Sequence, residues 1–153
     1  MEFRKRKPYL EQDVWVAIVS AYQRFYPTYV ALFRRFGLSP EQYNALRILN
    51  GAGEEGLPVK AIAARMLHRT PDITRLIDRL ERAELVERNR TALDRRVVMV
   101  TLTEKGLERL DNIDEPLREL HFQNYHHMDP EILRNVTEFL NQLQPGEQKT
   151  ERL

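Results

Sequence analysis

From residue 12 to 36 the large apolar side chains step by three and four in turn: Trp15, Ile18, Tyr22, Phe25, Tyr29, Leu32 and Phe36. This is the seam of a helix that lies along another helix. Pro27 falls inside the stretch and removes one backbone donor. The seam keeps its phase across the proline, so the pattern predicts one kinked helix. An aromatic seam of this length suits a subunit interface as well as a monomer core.

Further along, the apolar period stays helical and the start signals are explicit. In GLSPEQYNALRILNG, Ser39 is a natural N-cap, Pro40 fits the first helical position and Gln42 completes a capping box. Gly51 and Gly53 end that helix. A short helix over about 58–67 places Val59, Ile62, Ala63 and Met66 on one face. In HRTPDITRLIDRLERAEL, Thr70 is the expected cap, Pro71 the first helical residue, and Asp72 complements the positive helix end. Ile73, Leu76, Ile77 and Leu80 make the buried stripe, which leaves Thr74, Arg75, Asp78, Arg79 and Arg82 facing out. Two short helices joined by a turn of about three residues, the second showing hydroxyls and arginines near its start, are laid out as a helix-turn-helix.

The period then switches. LVER and VVMVTL read as strands around the polar loop NRTALDRR, a hairpin with Arg95 and Arg96 on it. A hairpin directly after the second helix of a helix-turn-helix is a wing. Thr103 caps a long helix over about 104–127 with the stripe Leu107, Leu110, Ile113, Leu117 and Leu120, and Pro116 is expected to kink it. Asp129 and Pro130 start a last helix with Ile132, Val136, Phe139, Leu140 and Leu143 as its apolar residues. The fold class is therefore mainly α with a small β-hairpin wing.

Composition changes this picture little; charge changes it more. With 153 residues, 42% hydrophobic and 31% charged, the chain suits one soluble domain with a real core. There is no cysteine, so disulfides and thiolate metal sites are excluded, which suits the cytoplasm. No apolar run approaches the ~20 residues of a membrane helix. MEFRKRKPYLEQ has a basic cluster with no apolar stretch behind it, so no secretory signal is expected. The net charge of +1 hides a polarity: residues 65–96 carry nine arginines against six acids, whereas residues 104–153 carry six bases against eleven acids. A basic middle can meet an anionic partner while the whole chain stays near neutral.

The residues around the wing give the most specific signal. Asp94, Arg96, Leu102, Thr103 and Gly106 complete the pattern D-x-R, five residues, L-T-x-x-G. With DITRLIDRLERAELVER upstream, and GLSPEQYNALRIL before it, the chain resembles the MarR family of transcriptional regulators over about residues 37–107. The resemblance implies a homodimeric winged helix-turn-helix repressor acting on double-stranded DNA, with no membrane and no cofactor. Residues 1–36 would form an N-terminal dimerisation helix, 37–103 the DNA-binding domain and 104–153 the C-terminal dimerisation helices. Thr70, Thr74 and Arg75 match the family's recognition helix where it meets the major groove, and Asp72 and Arg79 on the same stretch are further DNA-binding candidates, Arg79 equally suited to a structural role. Arg96 matches the arginine that enters the minor groove, Asp94 the partner that orients it, and Arg95 stands beside them. An arginine on a narrow ribbon suits a groove about 6 Å wide. Where the family commonly has glycine after the recognition helix, this chain has Glu84; a left-handed conformation there would cost about 1 kcal/mol.

Members of the family often bind small aromatic compounds between the dimerisation helices and the winged domain. Here Trp15, Tyr22, Tyr26 and Tyr43 are the ligand-lining candidates, and the same rings also suit core or dimer packing. No metal site is expected: His121, His126 and His127 lack the three- or four-residue spacing of one helix face. No glycine-rich phosphate loop or nucleophile motif points to an enzyme. The alternative is a winged-helix module used for protein–protein contact without DNA binding.

Overall fold

In the computed structural model, residues 9–68, 71–90 and 98–143 are described. The chain divides into two compact units, Met1–Pro116 and Leu117–Leu153. The first opens with α1 (Leu10–Arg35), one uninterrupted helix that carries Pro27 inside it. The Thr28 hydroxyl donates to the Phe25 carbonyl at 2.6 Å next to the proline. α2 (Pro40–Asn50) begins with the expected capping box: Ser39 Oγ accepts from Gln42 N at 3.2 Å, and Gln42 Oε1 accepts from Ser39 N at 2.8 Å. α3 (Val59–Arg65) and α4 (Ile73–Arg82) follow.

The wing is more than a hairpin. β2 (Val86–Arg90) and β3 (Val98–Leu102) pair antiparallel in full register, Val86 opposite Leu102 and Arg90 opposite Val98. A two-residue strand that the sequence pattern did not reveal, β1 (Leu57–Pro58), adds to the other edge of β3. The sheet order is β1-β3-β2. The proline sits on an edge strand, where its missing N–H costs no interior ladder bond. Gly56 makes this pairing possible, because a Cβ there would stand 2.2 Å from the Val100 carbonyl oxygen.

Leu46, Leu49, Ile62, Leu76, Ile77, Leu80 and Val100 are buried to 1% exposure or less, so α2, α3, α4 and β3 share one core. Ile113, fully buried, comes from α5 (Glu104–Tyr125). Thr103 Oγ1 caps α5 by accepting from Gly106 N at 3.1 Å. A Cβ on Gly106 would lie 2.1 Å from the Leu85 carbonyl oxygen, so only glycine fits there. Thr103 and Gly106 thus join the start of α5 to the turn after α4. In the second unit, α6 (Pro130–Gln142) is capped by Asp129, whose Oδ1 accepts from Glu131 N at 2.7 Å.

Candidate nucleic-acid interface

α4 divides cleanly by side. Leu76, Ile77 and Leu80 are buried, while Thr74, Arg75, Arg79 and Arg82 are exposed. At 3.6 residues per turn, Arg75, Arg79 and Arg82 lie within about 60° of one another. The three cations therefore form one strip on a helix whose opposite side is fixed in the core.

The helix starts later than the sequence suggests. Thr70 was the expected cap, but α4 begins at Ile73 and Asp72 caps it: Oδ1 accepts from Arg75 N at 3.1 Å. α3 ends at Arg65 and α4 begins at Ile73, and residues 66–68 and 71–72 are described in the segment between them. The sequence TPD offers two cap signals in succession, and the carboxylate nearer the apolar stripe takes the role. Asn44 on α2 helps hold this segment, with its Oδ1 accepting from Leu67 N at 2.9 Å.

Asp72 also grips the Arg75 side chain, Oδ2 to Nε at 3.0 Å. With Arg75 81% exposed, this pair is weak and solvent-screened, and an anion can replace it at little cost. Asp72 is thus a cap and a rest position for Arg75. Asp94, Arg95 and Arg96, like Thr70, lie outside the described residues.

Two ionic contacts were not anticipated. Arg88 on β2 reaches Asp78, Nη2 to Oδ1 at 2.6 Å, and Glu81, Nη1 to Oε2 at 2.5 Å. The period-two pattern of β2 carries the signal, because it places Arg88 on the same face as buried Val86 and hence toward α4. Burial opposes the charge on Arg88, but the two carboxylates outweigh it and raise its pKa. The second contact involves Glu84, which adopts φ 60° as the glycine replacement required. Its carbonyl accepts from Thr103 Oγ1 at 2.6 Å and its carboxylate from Lys105 Nζ at 2.7 Å, which holds that carboxyl below its usual pKa.

The four aromatic candidates do not form one cluster. Tyr22 and Tyr26 stack with ring centres 4.8 Å apart, and His68 meets Tyr26 edge-on at 6.4 Å. Tyr43 belongs to the packing of α1 on α2, stacked on Phe33 at 4.2 Å. Trp15 is 66% exposed. Tyr26 lines a cleft of about 490 Å³ with Val30, Arg34, Leu38 and Glu41. Burial and the Glu41 carboxylate raise the Tyr26 pKa, while a hydrogen bond from Ser39 lowers that of Glu41. Among the described residues, no group of three metal-ligating side chains comes together, and no helix is long and apolar enough to cross a membrane.

Comparison with known proteins decides the family. Residues 36–97 match the MarR family. A crystallised MarR transcription factor from Planctomyces limnophilus is 37% identical, with 89% of this chain and 98% of that one covered at a TM-score of 0.68. The chain belongs to the MarR family. Two curated relatives are also transcriptional regulators. The HTH-type transcriptional regulator MhqR of Bacillus subtilis is 34% identical over 79 residues, 52% of this chain and 53% of that protein. The HTH-type transcriptional repressor MdtR of the same organism is 31% identical over 97 residues, 63% and 61% respectively. The chain thus spans between about half and three-fifths of the length of these two curated relatives. The chain has the winged-helix fold of this family, in which α4 and the β2–β3 hairpin stand next to each other.

Proposed function

We propose that this chain is a homodimeric repressor that binds a pseudo-palindromic DNA site in a sequence-specific way. The observation that carries the reading is the strip Arg75, Arg79 and Arg82 on a helix whose other side is locked in the core. Such a helix meets the major groove with fixed register: Arg75 and Thr74 near its start address base edges or phosphates, and Arg79 a phosphate. Arg95 and Arg96 follow β2 in the chain and are assigned to the neighbouring minor groove, with Asp94 orienting them. The two copies join through α1 and α6. Support for this comes from the exposed apolar residues Trp15, Tyr22, Ile132, Val136, Phe139 and Leu140, all 44–66% accessible in the single chain. The repressor assignment follows that of MdtR, a transcriptional repressor, and dimerisation would place two α4 helices about one DNA turn apart.

A small aromatic effector is assigned to the Tyr22–Tyr26 stack and the cleft beside it. It would release DNA only if it bound the DNA-incompetent dimer more tightly.

Selection from a randomised duplex pool by the purified protein tests the reading. Enrichment of one motif with two inverted half-sites about one helical turn apart is expected. A pool that stays random after several rounds would contradict it, and would favour the protein–protein module instead.

A further inference from the structure

We propose that Arg88 is the positioning residue of the interface, holding the β2–β3 hairpin at one fixed orientation against α4. The inference rests on the DNA-binding reading above, and the measurements below separate the two.

β2 is an edge strand, with β3 on one side and no strand on the other among the described residues. Its two faces differ. Glu87 and Asn89 point away from Val86 and bond to each other at 2.8 Å, with Thr101 Oγ1 donating to Glu87 at 3.4 Å. That leaves the Val86 and Arg88 face to hold the strand against α4. Val86 is buried close to the turn, and Arg88 lies two residues further out. Its guanidinium uses two different nitrogens on two carboxylates that stand one helical turn apart. A single bond is a pivot, whereas two bonds in a fixed fork resist rotation. Arg88 is 23% exposed and its partners 37% and 40%, so water weakens this contact less than the open Asp72–Arg75 pair. Because β3 pairs with β2 at every residue, the grip on β2 also sets the direction of β3. The segment 91–97, with Arg95 and Arg96, connects the ends of these two strands.

Arg88 has a second effect through charge. It compensates Asp78 and Glu81, which share a helix with Arg75, Arg79 and Arg82. Without it, two carboxylates would face the same polyanion as the arginine strip.

The test uses the full chain as wild type, Arg88→Ala, Arg88→Lys and the triple variant Arg88→Ala/Asp78→Asn/Glu81→Gln. Affinity is read on the duplex selected by the wild type and on a scrambled duplex of equal composition. Hydrogen exchange of the hairpin amides is read without DNA. The triple variant removes the charge effect, so its affinity for scrambled DNA should match or exceed the wild type. Its affinity for the selected duplex should still fall about tenfold, the size of one mismatched base pair. Arg88→Lys keeps the charge but loses the fork, and should also lose preference for the selected duplex. Exchange at 86–90 and 98–102 should rise about tenfold in Arg88→Ala while α2 amides stay protected. Should Arg88→Ala not fold, the Lys and triple variants supply both readouts.

A triple variant that keeps the wild-type ratio of selected to scrambled affinity would overturn the proposal, as would unchanged hairpin exchange. If the wild type itself prefers no sequence, the DNA reading fails. Exchange then decides Arg88 alone, with a loosened hairpin upholding the grip.

Discussion

α4 and α6 are both capped by an aspartate and both carry an apolar stripe, yet they end in opposite states. In α4 the stripe is buried to 1% exposure or less at Leu76, Ile77 and Leu80. In α6 no residue is buried, and Ile132, Val136, Phe139, Leu140 and Leu143 remain 44–51% exposed. The first helix has its partners within the chain. The second has an apolar face of the kind that soluble monomers rarely leave open. The helix that carries the arginine strip is anchored because its back is filled, whereas the apolar face of α6 stays open, and the proposed dimer would cover it.

Substitutions at matched places can break this contrast. Leu76→Ala opens a cavity at a side chain only 1% exposed and should cost about 2–5 kcal/mol of global stability, read by urea unfolding. A loss under ~1 kcal/mol would mean that the α4 core relaxes freely. Phe139→Asp should leave the far-ultraviolet signal intact but weaken self-association by about 2 kcal/mol or more, a hot-spot loss. Sedimentation showing the same oligomer in both proteins would remove α6 from the interface. The two caps give a finer version: Asp72→Ala should lower global stability by about 1 kcal/mol, while Asp129→Ala should fray only the first turn of α6. Hydrogen exchange distinguishes a global from a local loss. Glu84→Gly, just after α4, should be the mildest, raising stability by up to ~1 kcal/mol as left-handed strain is relieved. The lost Lys105 contact is exposed and should offset little of that gain. A destabilised Glu84→Gly would show that the Lys105 contact matters more than the strain.

Much of this fold was legible in the sequence because local chemistry wrote it there. Ser39 with Gln42, Asp129 with Pro130, and Thr103 each announce a helix start, and all three cap as their residue types require. The buried stripe of α4 follows from its period. Glu84, standing where a glycine is usual, announced its positive φ. What escaped depends on contacts distant in sequence. β1 is two residues long and contains a proline, so no period can reveal it; its existence depends on Val100, more than forty residues away. Thr70 and Asp72 compete as caps, and local preference ranks them too closely to choose. Arg88 read as an ordinary strand charge, because its partners lie on a different element. The aromatic candidates illustrate a limit of composition: residue type groups four rings together, whereas packing sends Tyr43 to Phe33 and stacks Tyr22 on Tyr26.

The most direct test of the central claim, that α4 and the hairpin read DNA, is a fluorescence-anisotropy titration of wild type and Arg79→Ala. The probes are the selected and scrambled duplexes, at about 50 and 200 mM salt. Tight binding that prefers the selected duplex and falls by about 10³-fold between the two salts is expected, as several phosphate contacts release counterions. Arg79→Ala should weaken both duplexes by a similar factor and flatten the salt slope by about one unit, the mark of a lost phosphate contact. Equal affinity for both duplexes, or a salt slope that Arg79→Ala leaves untouched, would contradict the account.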